Sequence, residues 1–209
     1  MKAQSEIVGY LLLFIVGIGL VSTAIMWGIP LIHKKEDAKK LDDVYNFFIL
    51  LNNEIKNVAK SGEEKTLSFP VDGVIVLYPW NYSGIENNSI VFSFPSKVST
   101  VAVDKGWIPL TTSNVKDSPY SILGIDQPSV IFVSSSAEGE YYRVSYKLWF
   151  RGLYEPDTGK THKIILVRED RSSNSYSTTS RVISLKRGGT YSKDINGETY
   201  MLTEVVIIL

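Results

Sequence analysis

No cysteine occurs in the chain, which excludes a disulfide framework, a thiolate metal site and a thiol nucleophile. Histidine is nearly as scarce: His33 and His162 lie far apart and share no metal-ligand spacing. Net charge is missing too, because 22 basic residues balance 22 acidic ones, so no global basic field is present to hold nucleic acid. There is no glycine-rich phosphate loop, no nucleophile elbow and no histidine pair, so neither an enzyme nor a cofactor is expected. Asp157-Thr158-Gly159 does match the aspartic-protease tripeptide. In those enzymes a hydrophobic strand feeds the motif and two aspartates share a proton. Here Glu155-Pro156 precedes it, Lys160 follows and no second copy exists, so a hairpin turn is expected. The acidic residues farther along are scattered without calcium-loop spacing, and no metal site is assigned.

What is present in quantity is hydrophobic sequence at the amino terminus. The 26 residues from Ile7 to Ile32 carry no charge. That exceeds the roughly 20 residues needed to span the hydrocarbon core of a bilayer. The run is too long for the apolar region of an ordinary secretory signal, roughly 7–15 residues, and no small-residue cleavage site closes it. The plainest expectation is a single-pass membrane anchor.

The residues ahead of the run sharpen that expectation. They read Met1-Lys2-Ala3-Gln4-Ser5-Glu6, a basic residue, a small one and a glutamine, with an acid just before the apolar helix. Lys2-Ala3-Gln4 resembles the short class III signal of archaeal type IV pilins. The resemblance implies cleavage between Ala3 and Gln4 by a membrane prepilin peptidase, leaving residues 1–3 as leader and residues 4–32 as the transmembrane and filament-core helix. It also implies Glu6 as an assembly residue, although bacterial pilins carry their glutamate at the fifth mature position and Glu6 would be the third. Lys34, Lys35, Lys39 and Lys40 follow the helix while only Lys2 precedes it, opposite to the positive-inside bias, so the orientation rests on the leader resemblance.

Gly9, Gly17, Gly19 and Gly28 have two readings: ordinary membrane-helix composition, or close approach of helices in a bundle. Pro30, with Gly28 beside it, is expected to kink or locally melt the helix. Beyond Ile32 the periodicity resumes: Leu41, Val44, Tyr45, Phe48, Leu51, Ile55 and Val58 fall on one face, and Ser61-Gly62 supplies a stop. Residues 33–61 are therefore read as an amphipathic continuation.

From residue 66 to 209 the pattern becomes short apolar runs between turn residues, expected to form an all-β sandwich of immunoglobulin-like type with its own core. The fold class is thus α+β, a long apolar helix followed by an all-β head. Candidate strands are Val74–Leu77, Ile90–Phe94, Val98–Val103, Val130–Val133, Tyr142–Phe150, His162–Val167, Val182–Leu185 and Tyr200–Leu209. Val205–Leu209 is expected at the centre of a sheet or against a neighbouring subunit, and Asn196-Gly197 is expected at a hairpin turn. Ser134–Ser136 and Ser172–Ser180 read as solvated loops, and Asn81 and Asn87 begin N-glycosylation tripeptides.

The expected function is structural. The chain is read as a subunit of an extracellular archaeal pilus-like filament, held in the cell membrane before assembly, with Glu6, Gly17, Gly19, Gly28 and Pro30 in the assembly helix. Its expected partners are other copies of itself, membrane lipid, the prepilin peptidase and a membrane assembly platform. Two alternatives stay open: a membrane-anchored accessory subunit, such as a minor pilin or a stator-like component of the archaeal swimming filament, or a signal-anchored protein that binds a ligand or cell-wall layer.

Overall fold

The computed structural model describes residues 2–99, 101–111 and 114–209, with side chains from Gly9 onward. One helix, α1 (Lys2–Ser61), leads into eleven strands. At 1.5 Å per residue its 60 residues make a rod of about 90 Å. The helix is continuous through Pro30, contrary to the expectation of local melting. A single proline removes one backbone bond and strains one turn, and the turns on either side stay hydrogen-bonded. The stop comes at Gly62, whose φ of 82° only glycine adopts readily and whose amide donates to Val58 O at 3.0 Å.

The strands are β1 (Lys65–Ser68), β2 (Val74–Tyr78), β3 (Ser89–Ser96), β4 (Ile108–Pro109), β5 (Ser129–Glu138), β6 (Tyr141–Phe150), β7 (Gly152–Glu155), β8 (Lys160–Arg168), β9 (Tyr176–Thr178), β10 (Val182–Ile195) and β11 (Glu198–Ile208). They form two sheets, ordered β1-β10-β11-β8-β7 and β4-β5-β6-β3-β2-β9. The α+β class is as expected, a long apolar helix followed by an all-β domain of two sheets. The apolar carboxy-terminal run takes the central position of the first sheet, pairing antiparallel with β10 and parallel with β8. In β6, Val144, Tyr146, Leu148 and Phe150 are buried and the residues between them are partly exposed, the alternation of a strand with one face in the core.

The turns follow their residues. Asn196 and Gly197, at φ 51° and 85°, close the β10–β11 hairpin with the two positive φ values of a type I′ turn. Asp157-Thr158-Gly159 lies in the turn between β7 and β8, with Gly159 at φ 67°. Inside β10 the pairing shifts between Arg187 and Thr190, so that Gly188 and Gly189 oppose Glu204 as a bulge. A Cβ on Gly188 would stand 2.6 Å from Glu204 Cβ, which leaves room for glycine alone.

Three expectations fail. None of the described residues of Val98–Val103 joins a strand; the Ser96 and Ser99 hydroxyls accept from the amides of Val98 and Val101 and offer the backbone a local alternative to a ladder. Ser134–Ser136 lies within β5 instead of a loop, paired with Ser145, Val144 and Arg143 of β6, so a strongly patterned neighbour recruits a serine run. Within Ser172–Ser180, residues 176–178 form β9, paired with β2.

The core differs from a closed two-sheet sandwich because the helix is part of it. Leu41, Val44, Phe48, Leu51, Ile55 and Val58 are at most 1% exposed and join Ile183, Leu185, Val205 and Ile207 of the first sheet to Phe92, Tyr146 and Leu148 of the second. Phe69 links the layers, 4.4 Å from Phe47 and 4.5 Å from Phe92 between ring centroids.

Polar contacts fix the head-bound half of the helix. Tyr146 Oη donates to Leu41 O at 3.3 Å, and Ser129 Oγ donates to Asn52 Oδ1 at 2.6 Å. Asp37, buried at the near end of the head, accepts from Lys40 Nζ at 2.7 Å and from the Lys97 amide at 2.8 Å. Burial pushes its carboxyl upward, but the Lys40 ammonium and the Lys97 amide outweigh that and hold it below the ordinary value. The unfolded chain therefore binds the proton more tightly. The stabilisation is fully present above the unfolded value near pH 4 and disappears as the pH falls through the lower folded value. Asp37→Asn is expected to lower unfolding free energy by about 1–2 kcal/mol at pH 7. Urea melts should show that difference shrinking as the pH falls below about 4.

Candidate assembly helix

Physical chemistry singles out the half of α1 that stands clear of the head. From Gly9 the helix is long and apolar enough to cross a membrane, with mean hydropathy 2.3 in its most apolar window. Its large side chains are uncovered: Phe14 is 67% exposed, Met26 76% and Trp27 72%. Contiguous apolar surface of this extent does not stay in water, so something covers it. The hydroxyl of Thr23 is satisfied internally, donating to Gly19 O at 2.8 Å, which suits a segment removed from water.

The glycines contribute nothing within one chain. A Cβ added at Gly9, Gly17, Gly19 or Gly28 would meet no atom within 4 Å. Around Gly17 the missing side chain leaves a shallow apolar groove lined by Leu13, Phe14, Ile18, Val21 and Ser22. Lys2, Ala3, Gln4 and Glu6 lie on the first turns of α1, but their side chains lie outside the described residues. The expected assembly residues Gly17, Gly19, Gly28 and Pro30 share one helix, on which Pro30 is exposed.

The two glycosylation tripeptides fare differently. Asn81 is exposed on the loop after β2. At Asn87, the hydroxyl of Ser89 is buried and donates to Glu86 O at 2.5 Å, so the acceptor's required serine is engaged inside the fold. His162 is near Glu155, with Nε2 3.1 Å from Oε2, and His33 is near Glu36 at 3.4 Å. Among the described residues no three histidine, aspartate or glutamate side chains gather as metal ligands would.

Three features of the head escape reading by sequence. Asn88 is wholly buried and joins the two sheets. Arg151, also wholly buried, donates from Nε to Gln127 O at 2.8 Å and from Nη1 to Lys116 O at 3.0 Å, anchoring the loop between β4 and β5. Burial pushes its guanidinium below the ordinary value while Asp126 and Asp117 push back, and arginine keeps its charge. On the outer face of the second sheet, Lys147 Nζ bonds Glu86 at 2.8 Å and sits 4.4 Å from the Trp107 ring centroid. A buried arginine or an occupied aromatic clasp leaves no periodic mark, because its partners come from loops distant in sequence. Comparison with family models, curated proteins and solved structures gives no match to this chain.

Proposed function

We propose that the chain is a structural subunit of an extracellular archaeal pilus-like filament, in which the apolar half of α1 bundles with other copies and the β heads tile the outside. One observation carries it. A single helix has one half built into the core of the head while the other projects as an uncovered apolar rod. A hinged anchor would let the head swing, whereas this one fixes the head's orientation to the rod, as a repeating assembly requires. Before assembly lipid covers the rod; afterwards neighbouring rods do, and the small residues at Gly17, Gly19 and Gly28 permit close backbones. The leader triplet Lys2-Ala3-Gln4 supports processing by a prepilin peptidase, with a mature chain starting at Gln4.

The test is electron microscopy of filaments sheared from native cells, with intact-mass analysis of their subunits. The expected result is filaments containing this chain beginning at Gln4. Protein that stays in the membrane fraction, with Met1 or Lys2 still attached, overturns the assignment in favour of an anchored accessory or binding protein. Glu6 adds a second arm. A carboxylate drawn out of water needs a partner, since an unpaired buried charge costs several kcal/mol. The new amino group at Gln4 of a neighbouring subunit would supply it. Glu6→Ala is expected to cut sheared-filament yield at least tenfold at equal expression, with leader removal and head folding intact. Unchanged yield would refute the charge pairing.

A further inference from the structure

Almost no free helix separates the end of the apolar run from the packed head. The run ends at Ile32, and Asp37 already accepts from the Lys97 amide at 2.8 Å, so the head begins about 8 Å farther along the axis at 1.5 Å per residue. The bonds from Tyr146 to Leu41 and from Ser129 to Asn52 set the direction of the β5–β6 hairpin along the helix, which brings its turn at Gly139-Glu140 to the same near end. The headgroup layer is about 5–8 Å deep on each side of a bilayer. When the rod spans a membrane, this rim of the head therefore stands in or directly on the headgroups, because one continuous helix joins the two.

The charges at the rim are sorted by depth. Lys34, Lys35 and Lys39 lie about 3, 5 and 11 Å beyond Ile32 along the axis, and Asp42 and Asp43 about 15 and 17 Å beyond it. Helical side chains lean towards the amino terminus, so the long lysine stems reach back to the bilayer, whereas the short aspartates cannot. Lys97, just after β3, is exposed at the level of Asp37, with Nζ 5.8 Å from the centroid of the Tyr141 ring. Tyr141 is itself 46% exposed, and an exposed tyrosine at this depth suits a membrane–water interface. The acids nearby are largely engaged: Glu36 is 3.4 Å from His33, Asp37 2.7 Å from Lys40 and Glu138 2.8 Å from Arg143. No ion pair among the described residues engages Lys34, Lys35, Lys39 or Lys97, and Glu140 at the turn is the unpaired acid set against these four cations.

We propose that Lys34, Lys35, Lys39 and Lys97 form a collar that binds the phosphates of anionic lipid headgroups and seats the head on the bilayer while the rod is inserted. The partner is a lipid surface, and the sorting of charge selects it, with cations within reach of the phosphate plane and Asp42 and Asp43 above it. The proposal rests on the reading that the rod spans a membrane before assembly. It goes beyond the filament assignment, because the collar acts on every inserted copy whether or not that copy later enters a filament. It also gives the lysines that follow the apolar run, against the positive-inside bias, a role other than setting topology.

The chain has no cysteine, so a single introduced thiol can be labelled alone. Ala137 is exposed and pairs with Tyr142, which also pairs with Ser96, so it marks the level of the rim. Full-length Ala137→Cys carrying a fluorophore is reconstituted into vesicles of phosphatidylcholine, alone or with about one-third phosphatidylglycerol, each doped with a lipid that bears a nitroxide quencher on its headgroup. Quenching is expected to be at least twofold stronger in the anionic vesicles. Salt at about 1 M, where the screening length falls to about 3 Å, should bring it down to the phosphatidylcholine level. Changing Lys34, Lys35, Lys39 and Lys97 together to Gln should abolish the difference in a chain that still floats with the vesicles. Asp42→Asn with Asp43→Asn should leave quenching unchanged, which a response to net charge alone would not. Equal quenching in the two lipids, a difference that survives the glutamine changes or high salt, or one that doubles with the asparagine changes overturns the collar and leaves the filament assignment standing. A chain that an alkaline wash strips from both kinds of vesicle overturns the spanning rod and the collar with it.

Discussion

A chain shortened to begin at Thr66 is expected not to fold, while one beginning at Lys34 keeps the cooperative melt of the intact head. Strands that held a core of their own would fold from Thr66 onward; the packing argues otherwise. Leu41, Val44, Phe47, Phe48, Leu51, Ile55 and Val58 all lie in the same cluster as the inner faces of both sheets. Burying such side chains is worth about 1.5–3 kcal/mol each, so the seven together supply on the order of 10–20 kcal/mol. The whole stability of a domain is about 5–15 kcal/mol. Losing the helix also strips Phe69 of the Phe47 ring and leaves Tyr146 Oη and Ser129 Oγ without Leu41 O and Asn52. A chain starting at Leu41 keeps the apolar set but loses Asp37, which accepts from the Lys97 amide, and is expected to fold with about 1–2 kcal/mol less stability. Far-ultraviolet circular dichroism during thermal unfolding separates the three. A sharp β-sheet transition in the Thr66 chain would show that the sheets are self-sufficient.

The legible parts of the fold were those written as periodicity. The buried helix face, the alternation in β6, the Asn196-Gly197 turn and the placement of the apolar terminal run all follow from spacing within one segment. The four strands that no run suggested, β1, β4, β7 and β9, are the edges of the two sheets. Edge strands are short and contact one neighbour, so little in their own sequence must alternate; β4 has two residues and β9 three. The entry of the helix between the sheets was hidden for a related reason. An amphipathic face says that a helix is covered on one side, and the number of layers that cover it depends on long-range pairing such as β11 with β8. The projecting half of the helix was legible as an apolar run; the exposed stripe beyond it through Asn46, Ile49 and Asn53 was not. Those residues stand out only once the opposite face is seen to be buried.

Replacing Asn88 with alanine is expected to remove at least about 4 kcal/mol of stability, enough to unfold most of the head at 37 °C. In the sequence Asn88 is only the middle residue of a glycosylation tripeptide. In the fold it is fully buried at φ 57°, and its side chain is shared between the sheets. Nδ2 donates to Phe150 O at 2.7 Å and to Ile164 O at 2.9 Å, while Oδ1 accepts from the Leu166 amide at 2.8 Å. Phe150 belongs to the second sheet and Ile164 and Leu166 to the first, so one amide ties β6 to β8. Truncation strands three backbone groups out of reach of water, at about 1–3 kcal/mol for each left unsatisfied. It also forces a Cβ-bearing residue without a polar side chain into a left-handed conformation that asparagine tolerates, a penalty of about 1–2 kcal/mol. Two further variants separate these contributions. Asn88→Gly relieves the backbone penalty and keeps the loss of bonds, so it should be about 1 kcal/mol less damaging than alanine. Asn88→Asp keeps the shape but cannot donate from an ionised carboxylate to two carbonyls, so at pH 7 it should be at least as damaging as alanine. Urea unfolding of the four proteins from Lys34 onward gives the order directly. An alanine variant within about 1 kcal/mol of the parent, or an aspartate variant as stable as asparagine, would mean that the sheets are held by their apolar faces and that the amide bridge is incidental.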